Sequence, residues 1–128
     1  TIARCASDNI ERDLTWHDYA GPRDITDDGK KILVEEGGVS SGIPYLSYIR
    51  NIDGTSTKLI GDGAPIAFSP DQKYVLARIP SPQNRLCLIN VETKRVKPLE
   101  TDSARSLVYQ EFACFFPDGK RILFAANK

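Results

Sequence analysis

Two short stretches of this chain carry residue types that could do chemistry. Gly38-Val39-Ser40-Ser41-Gly42 fits G-x-S-x-G, the sharp turn that presents a serine nucleophile in α/β-hydrolases. Asp24-x-Thr26-x-Asp28-Gly29, with Glu35 beyond it, approaches the oxygen-ligand loop of an EF-hand. Each chemistry demands a context. The serine needs a strand before it, a helix after it, and an acid and a histidine later in the chain. Here a β-type run follows Pro44, and the single histidine, His17, precedes Ser40. Calcium needs a full set of oxygens between two helices. Thr26 is a weak ligand, Lys31 falls where an apolar residue belongs, and no helical periodicity flanks the loop. Both stretches therefore read as connections, and no catalytic, cofactor-binding or metal-binding residue is expected.

The remaining candidates point the same way. Cys5, Cys87 and Cys114 are widely spaced, form no C-x-x-C pair and have only His17 to join them in a zinc site. They read as small hydrophobes. Trp16, His17 and Tyr19 cluster before Gly21-Pro22, which suits packing between structural units or an aromatic contact surface. His17 also has the side chain that titrates near neutral pH. Arg78, Arg85 and Arg105 fit either a channel or top surface or ordinary solvated charge.

The totals bound the partners. In 128 residues, 17 Lys+Arg balance 17 Asp+Glu, and 41% of residues are hydrophobic, enough for a packed core. Neutral charge argues against a nucleic-acid surface, which needs a basic excess. No run approaches the roughly 20 apolar residues of a membrane helix, so no direct membrane insertion is expected. The chain opens at Thr1 and contains no Met, so it is expected to be a piece of a longer protein.

The elements that would have to position any site are announced by a repeat. "DITDDGKKILVEE" from Asp24, "AFSPDQKYVLARI" from Ala67 and "CFFPDGKRILFAA" from Cys114 align without gaps. Their aspartates, Asp28, Asp71 and Asp118, lie 43 and 47 residues apart, the period of four-stranded propeller blades. Pro70 and Pro117 suit the second position of a type I turn, and Gly29 and Gly119 the left-handed residue that follows it in a three-residue hairpin. Asp27 replaces the proline in the first copy, which predicts a looser turn. Gln72 replaces the glycine in the second, which predicts strain of about 1 kcal/mol. "YLSYIRN" and "STKLI" flank Asp53-Gly54, and "RLCLINV" and "RVKPL" flank residues 92–94, each pair reading as a further hairpin. Lys97 and Pro98 mark the last of these strands as an edge.

The "SPDQKYVLARI" and "FPDGKRILFAANK" motifs resemble the PD-type repeat of TolB-like β-propellers. Residues 11–38 are similar to propeller regions attached to bacterial serine/threonine kinases and related sensory proteins. The resemblance implies an all-β, partial propeller of four-stranded antiparallel blades, part of a six- or seven-bladed ring. The divisions expected are residues 1–20 as outer strands of a preceding blade, 21–61 and 62–106 as blades, and 107–128 as the inner hairpin of the next. It further implies a non-catalytic module for protein–protein interaction or ligand sensing, often outside the cytoplasmic membrane, without a cofactor. The alternative is the substrate-gating propeller of a prolyl-oligopeptidase-type serine peptidase whose catalytic domain lies elsewhere. A half blade at each end leaves open strand edges, so a homodimer closing a six-bladed ring is a further expectation.

Overall fold

The computed structural model describes residues 2–4, 11–14, 20–37, 45–79, 85–99 and 108–127. Every regular element among them is a strand. The order is β1 (Ile2–Arg4), β2 (Glu11–Asp13), β3 (Ala20–Ile25), β4 (Lys31–Glu36), β5 (Leu46–Asn51) and β6 (Thr57–Asp62). It continues with β7 (Ala64–Phe68), β8 (Tyr74–Ile79), β9 (Arg85–Asn90), β10 (Val96–Pro98), β11 (Val108–Phe115) and β12 (Ile122–Asn127). They form two four-stranded antiparallel meanders, β3-β4-β5-β6 and β7-β8-β9-β10, and two two-stranded sheets, β1-β2 and β11-β12. The fold is an all-β partial propeller.

Each inner hairpin closes in the same way. The Gly29 N–H donates to the Thr26 carbonyl at 2.7 Å, Gln72 to Ser69 at 2.8 Å and Gly119 to Phe116 at 2.9 Å. Outside each turn a ladder bond runs from Thr26 to Lys31, Ser69 to Tyr74 and Phe116 to Arg121, at 2.8–2.9 Å. The fourth residue is left-handed every time, with φ of 66° at Gly29, 59° at Gln72 and 67° at Gly119. Gln72 thus adopts a conformation that costs a side chain with a Cβ about 1 kcal/mol. The looser first turn expected from Asp27 is not observed, because the bonds that hold it are as short as those around Pro70 and Pro117. Backbone bonds and the aspartate hold the corner, and proline only pre-sets a φ that other residues reach.

The sheets stack through alternating faces. From β8, Val75 and Ala77 join Leu33, Ile49, Ile60, Cys87 and Ile89 in the core between the two meanders. Leu76 and Leu86 point the other way and pack on Ala113, Phe115 and Ile122 of the β11-β12 sheet. A middle sheet covered on both faces needs a continuous apolar run rather than polar alternation, and β8 supplies one. Outer strands need no such run, and β10 is exposed along its whole length.

The step from one meander to the next turns on Gly63, at φ 118°. Its N–H donates to the Tyr45 carbonyl at 2.9 Å, and its carbonyl accepts from the buried Ser47 hydroxyl at 2.9 Å. A Cβ there would sit 3.1 Å from the Arg78 carbonyl oxygen, so both conformation and space favour glycine.

Candidate functional site

The innermost strands β3, β7 and β11 each carry an irregularity before the hairpin turn. Pairing shifts around Arg23 in β3, around Ile66 in β7 and across residues 110–112 in β11. A bulge adds one residue to one strand and re-aims its side chain. Arg23, Ile66 and Phe112 thereby line one concave trough of about 700 Å³, joined by Glu35, Tyr45 and Arg78. A second hollow of about 520 Å³ shares Arg23, Ile66, Ala113 and Cys114 with the first and opens among the hairpin turns. The two hollows adjoin along the inner strands.

Its chemistry is mixed. Arg23 Nη2 donates to Glu35 Oε1 at 2.7 Å across the β3–β4 ladder, leaving the ion pair at the trough wall. Asp24, next to the bulge, ties neighbouring sheets together. Its Oδ2 accepts from the Phe68 N–H at 2.7 Å, while Oδ1 accepts from the Ile25 N–H at 2.8 Å. A carboxylate is well suited to a backbone donor on the open side of β7, the edge strand of its sheet.

The hairpin turns beside the second hollow are braced by aspartates that do not themselves line it. Asp28 Oδ1 accepts from the Thr26 hydroxyl at 2.6 Å and the Lys30 N–H at 3.0 Å. Asp71 Oδ1 accepts from the Ser69 hydroxyl at 2.7 Å and the Lys73 N–H at 3.1 Å. These donors, hydroxyl first and backbone N–H second, hold both carboxyls below the usual aspartate range. The hydroxyls also accept from the strand beyond, Thr26 from Lys31 N–H at 3.0 Å and Ser69 from Tyr74 N–H at 2.9 Å. In the third copy Phe116 has no hydroxyl. Arg121 takes over, donating from Nε and Nη2 to Asp118 Oδ2 at 3.2 and 3.1 Å, with its guanidinium 4.3 Å from the Phe116 ring centre.

Residues singled out in the sequence divide accordingly. In the calcium-like stretch, Asp24, Asp28 and Glu35 spend carboxylate oxygens on protein donors in three different directions. Among the described residues no group of three or more His, Cys, Asp or Glu side chains is placed to hold a metal. Arg78 reaches the trough, whereas Arg85 is exposed at the start of β9. Cys87 is buried in the core, and burial pushes its thiol up to about 11. Cys114 is exposed on the trough wall. Ser40, Cys5, Trp16, His17, Tyr19 and Arg105 lie outside the described residues.

Sequence reasoning missed the bulges and the hydroxyl braces. Both had signals: Pro22 and Pro65 stand 43 residues apart beside the bulges, and Thr26 and Ser69 align at the first turn position.

No protein-family model matches the chain, and no curated protein matches it. Among solved structures it is similar to TolB from Acinetobacter baumannii, with a TM-score of 0.71 at 20% identity. The fold is TolB-like. The match covers 98% of this chain and 31% of that one, so this chain spans about a third of the TolB chain it resembles. Among the described residues no helix is long and apolar enough to cross a membrane.

Proposed function

We propose that the chain is a non-catalytic segment of a TolB-like propeller, within a larger bacterial protein such as a serine/threonine kinase. In this reading it docks an extended protein segment or a small ligand along its inner trough. One observation carries the reading: three inner strands, each with a pairing irregularity, bring an arginine, an aliphatic and an aromatic side chain to one concave wall. Arginine and aromatic side chains supply most of the energy at binding surfaces, and several hundred Å³ is ordinary ligand size. Among the described residues lining that wall, Cys114 is joined by no histidine or lysine. The hydroxyls of Thr26 and Ser69 are engaged with aspartates.

The test is fluorescence anisotropy with fluorescein-labelled extended peptides that vary in charge and aromatic content. Saturable binding, weakened roughly tenfold by Arg23→Ala, is the expected result, since about 1.4 kcal/mol corresponds to that factor. Binding absent at millimolar peptide, or indifferent to Arg23, removes the trough from the account. Hydrolysis of chromogenic esters or peptides that disappears in Ser40→Ala would overturn the non-catalytic reading. A kinase domain in the surrounding reading frame supports the larger assignment; a downstream α/β-hydrolase domain replaces it with a peptidase gate.

A further inference from the structure

On one face of its sheet the first meander departs from the second at three places. In the aligned repeat, Ile32, Val34 and Glu36 of β4 match Val75, Ala77 and Ile79 of β8. Across the ladders, Val34 pairs with Tyr48 where Ala77 pairs with Cys87. Likewise Ile32 pairs with Arg50 where Val75 pairs with Ile89. Glu36, Tyr48 and Arg50 therefore stand where the second meander has Ile79, Cys87 and Ile89, which belong to the apolar core or pack against it. Ionisable groups at such positions cost desolvation and call for polar partners.

The partners are partly on the page. Glu36 is only 5% exposed. Tyr48 hydrogen-bonds to it, and burial first, then that carboxylate, pushes the phenol above the ordinary tyrosine range. Arg50 Nη1 donates to the carbonyl of buried Leu14 at 2.8 Å. Glu36, Tyr48, Arg50 and Thr57, under apolar cover from Leu14 and Ala20, line a cavity of about 20 Å³. Two enclosed atoms on its lining residues, Glu36 Oε2 and Arg50 Nε, make no hydrogen bond to a protein group, although both side chains are engaged through their other atoms.

Size and charge decide the occupant. A buried water needs roughly 10–15 Å³ and two to four polar partners, and this cavity supplies both. A carboxylate beside a guanidinium makes the lining neutral as a pair, which suits neither a free anion nor a free cation. One acceptor and one donor match a neutral molecule that can donate and accept.

We propose that this cavity is a binding site for one water molecule, which donates to Glu36 Oε2 and accepts from the Arg50 Nε–H. Its second hydrogen is left for the oxygen of Tyr48 or Thr57. The water bridges Glu36 to Arg50 and holds the guanidinium in the pose that clamps the Leu14 carbonyl. It thereby ties the chain that leaves β2 to the face of the β3–β6 sheet. The described lining lies between residues 14 and 57, and the site is independent of the trough and its ligand.

A high-resolution crystal structure of the 128-residue chain tests it, together with water–protein nuclear Overhauser effects in solution. Expected is density for one water within hydrogen-bonding distance of both atoms. Cross-peaks with the sign of a long-lived water should reach protons of Thr57 and Tyr48. Glu36→Ile with Arg50→Ile, which restores the residue type of the second meander, should abolish the cross-peaks with circular dichroism unchanged. Arg50→Lys, which keeps the charge but removes the Nε donor, is the milder variant and should weaken them. A direct Glu36–Arg50 ion pair that closes the cavity, a protein side chain or an ion in that density, or cross-peaks indifferent to Arg50→Lys overturns the proposal.

Discussion

The β7–β10 sheet and the β11-β12 pair are written in the same repeat yet sit in different surroundings. In the former, Val75, Leu76 and Ala77 are buried in succession because sheets cover both faces. In the latter, Ile122 is sheltered against Leu76 and Leu86 while the adjacent Leu123 stands open. The turns differ too. Ser69 braces Asp71 with a hydroxyl, whereas Phe116 carries an arginine over its ring that reaches Asp118. The lesson is that the repeat fixes the hairpin and its corner, while burial belongs to whatever stands alongside.

The sharpest way to break that comparison is Leu76→Ala against Leu123→Ala. The first removes a fully enclosed side chain and should cost about 2–5 kcal/mol in denaturant unfolding. The second should cost less than about 0.5 kcal/mol, as surface changes do. Comparable losses would mean that the two sheets are not distinguished by cover. Thiol labelling asks the same of the cysteines. Cys114 should react readily in the native protein and Cys87 only on unfolding, since a buried thiol held near 11 offers almost no thiolate at neutral pH; equal rates would put Cys87 outside the core.

Ser69→Ala should lose about 1 kcal/mol, the worth of one hydroxyl brace, and raise the Asp71 pKa toward its ordinary 3.8. Because the folded-state value is depressed, this aspartate contributes stability above its unfolded pKa. That contribution fades as pH falls through the folded value, and the variant should show less of this acid-side loss. An NMR titration of Asp71 unchanged by the substitution would refute the brace. The smallest effect is a gain. Gln72→Gly should stabilise by up to about 1 kcal/mol by relieving the left-handed strain, with Gly119→Ala destabilising by a similar amount.

Much of this was legible in the sequence because it is local. The aligned aspartates gave the hairpins, the proline and glycine positions gave the turn class, and Pro98 lay in an exposed last strand as its missing N–H requires. The bulges were not read, since one extra residue in a strand leaves the apolar pattern nearly unchanged. Asp24 stands in a stretch that the sequence marks only as a connection. Its bond to the Phe68 N–H, 44 residues away, joins two sheets and has no signature within either copy.

The amino-acid order alone determined the repeat, the antiparallel hairpins and their left-handed corners, because turn conformation and strand alternation depend on residues within a few positions of each other. Only the tertiary structure decided which leucine of the three would face solvent, that Arg23, Ile66 and Phe112 share a wall, and that Asp24 serves the next sheet. Those facts depend on distance in space between segments some 40 residues apart, where no local preference reaches and only stacking of whole sheets sets the outcome.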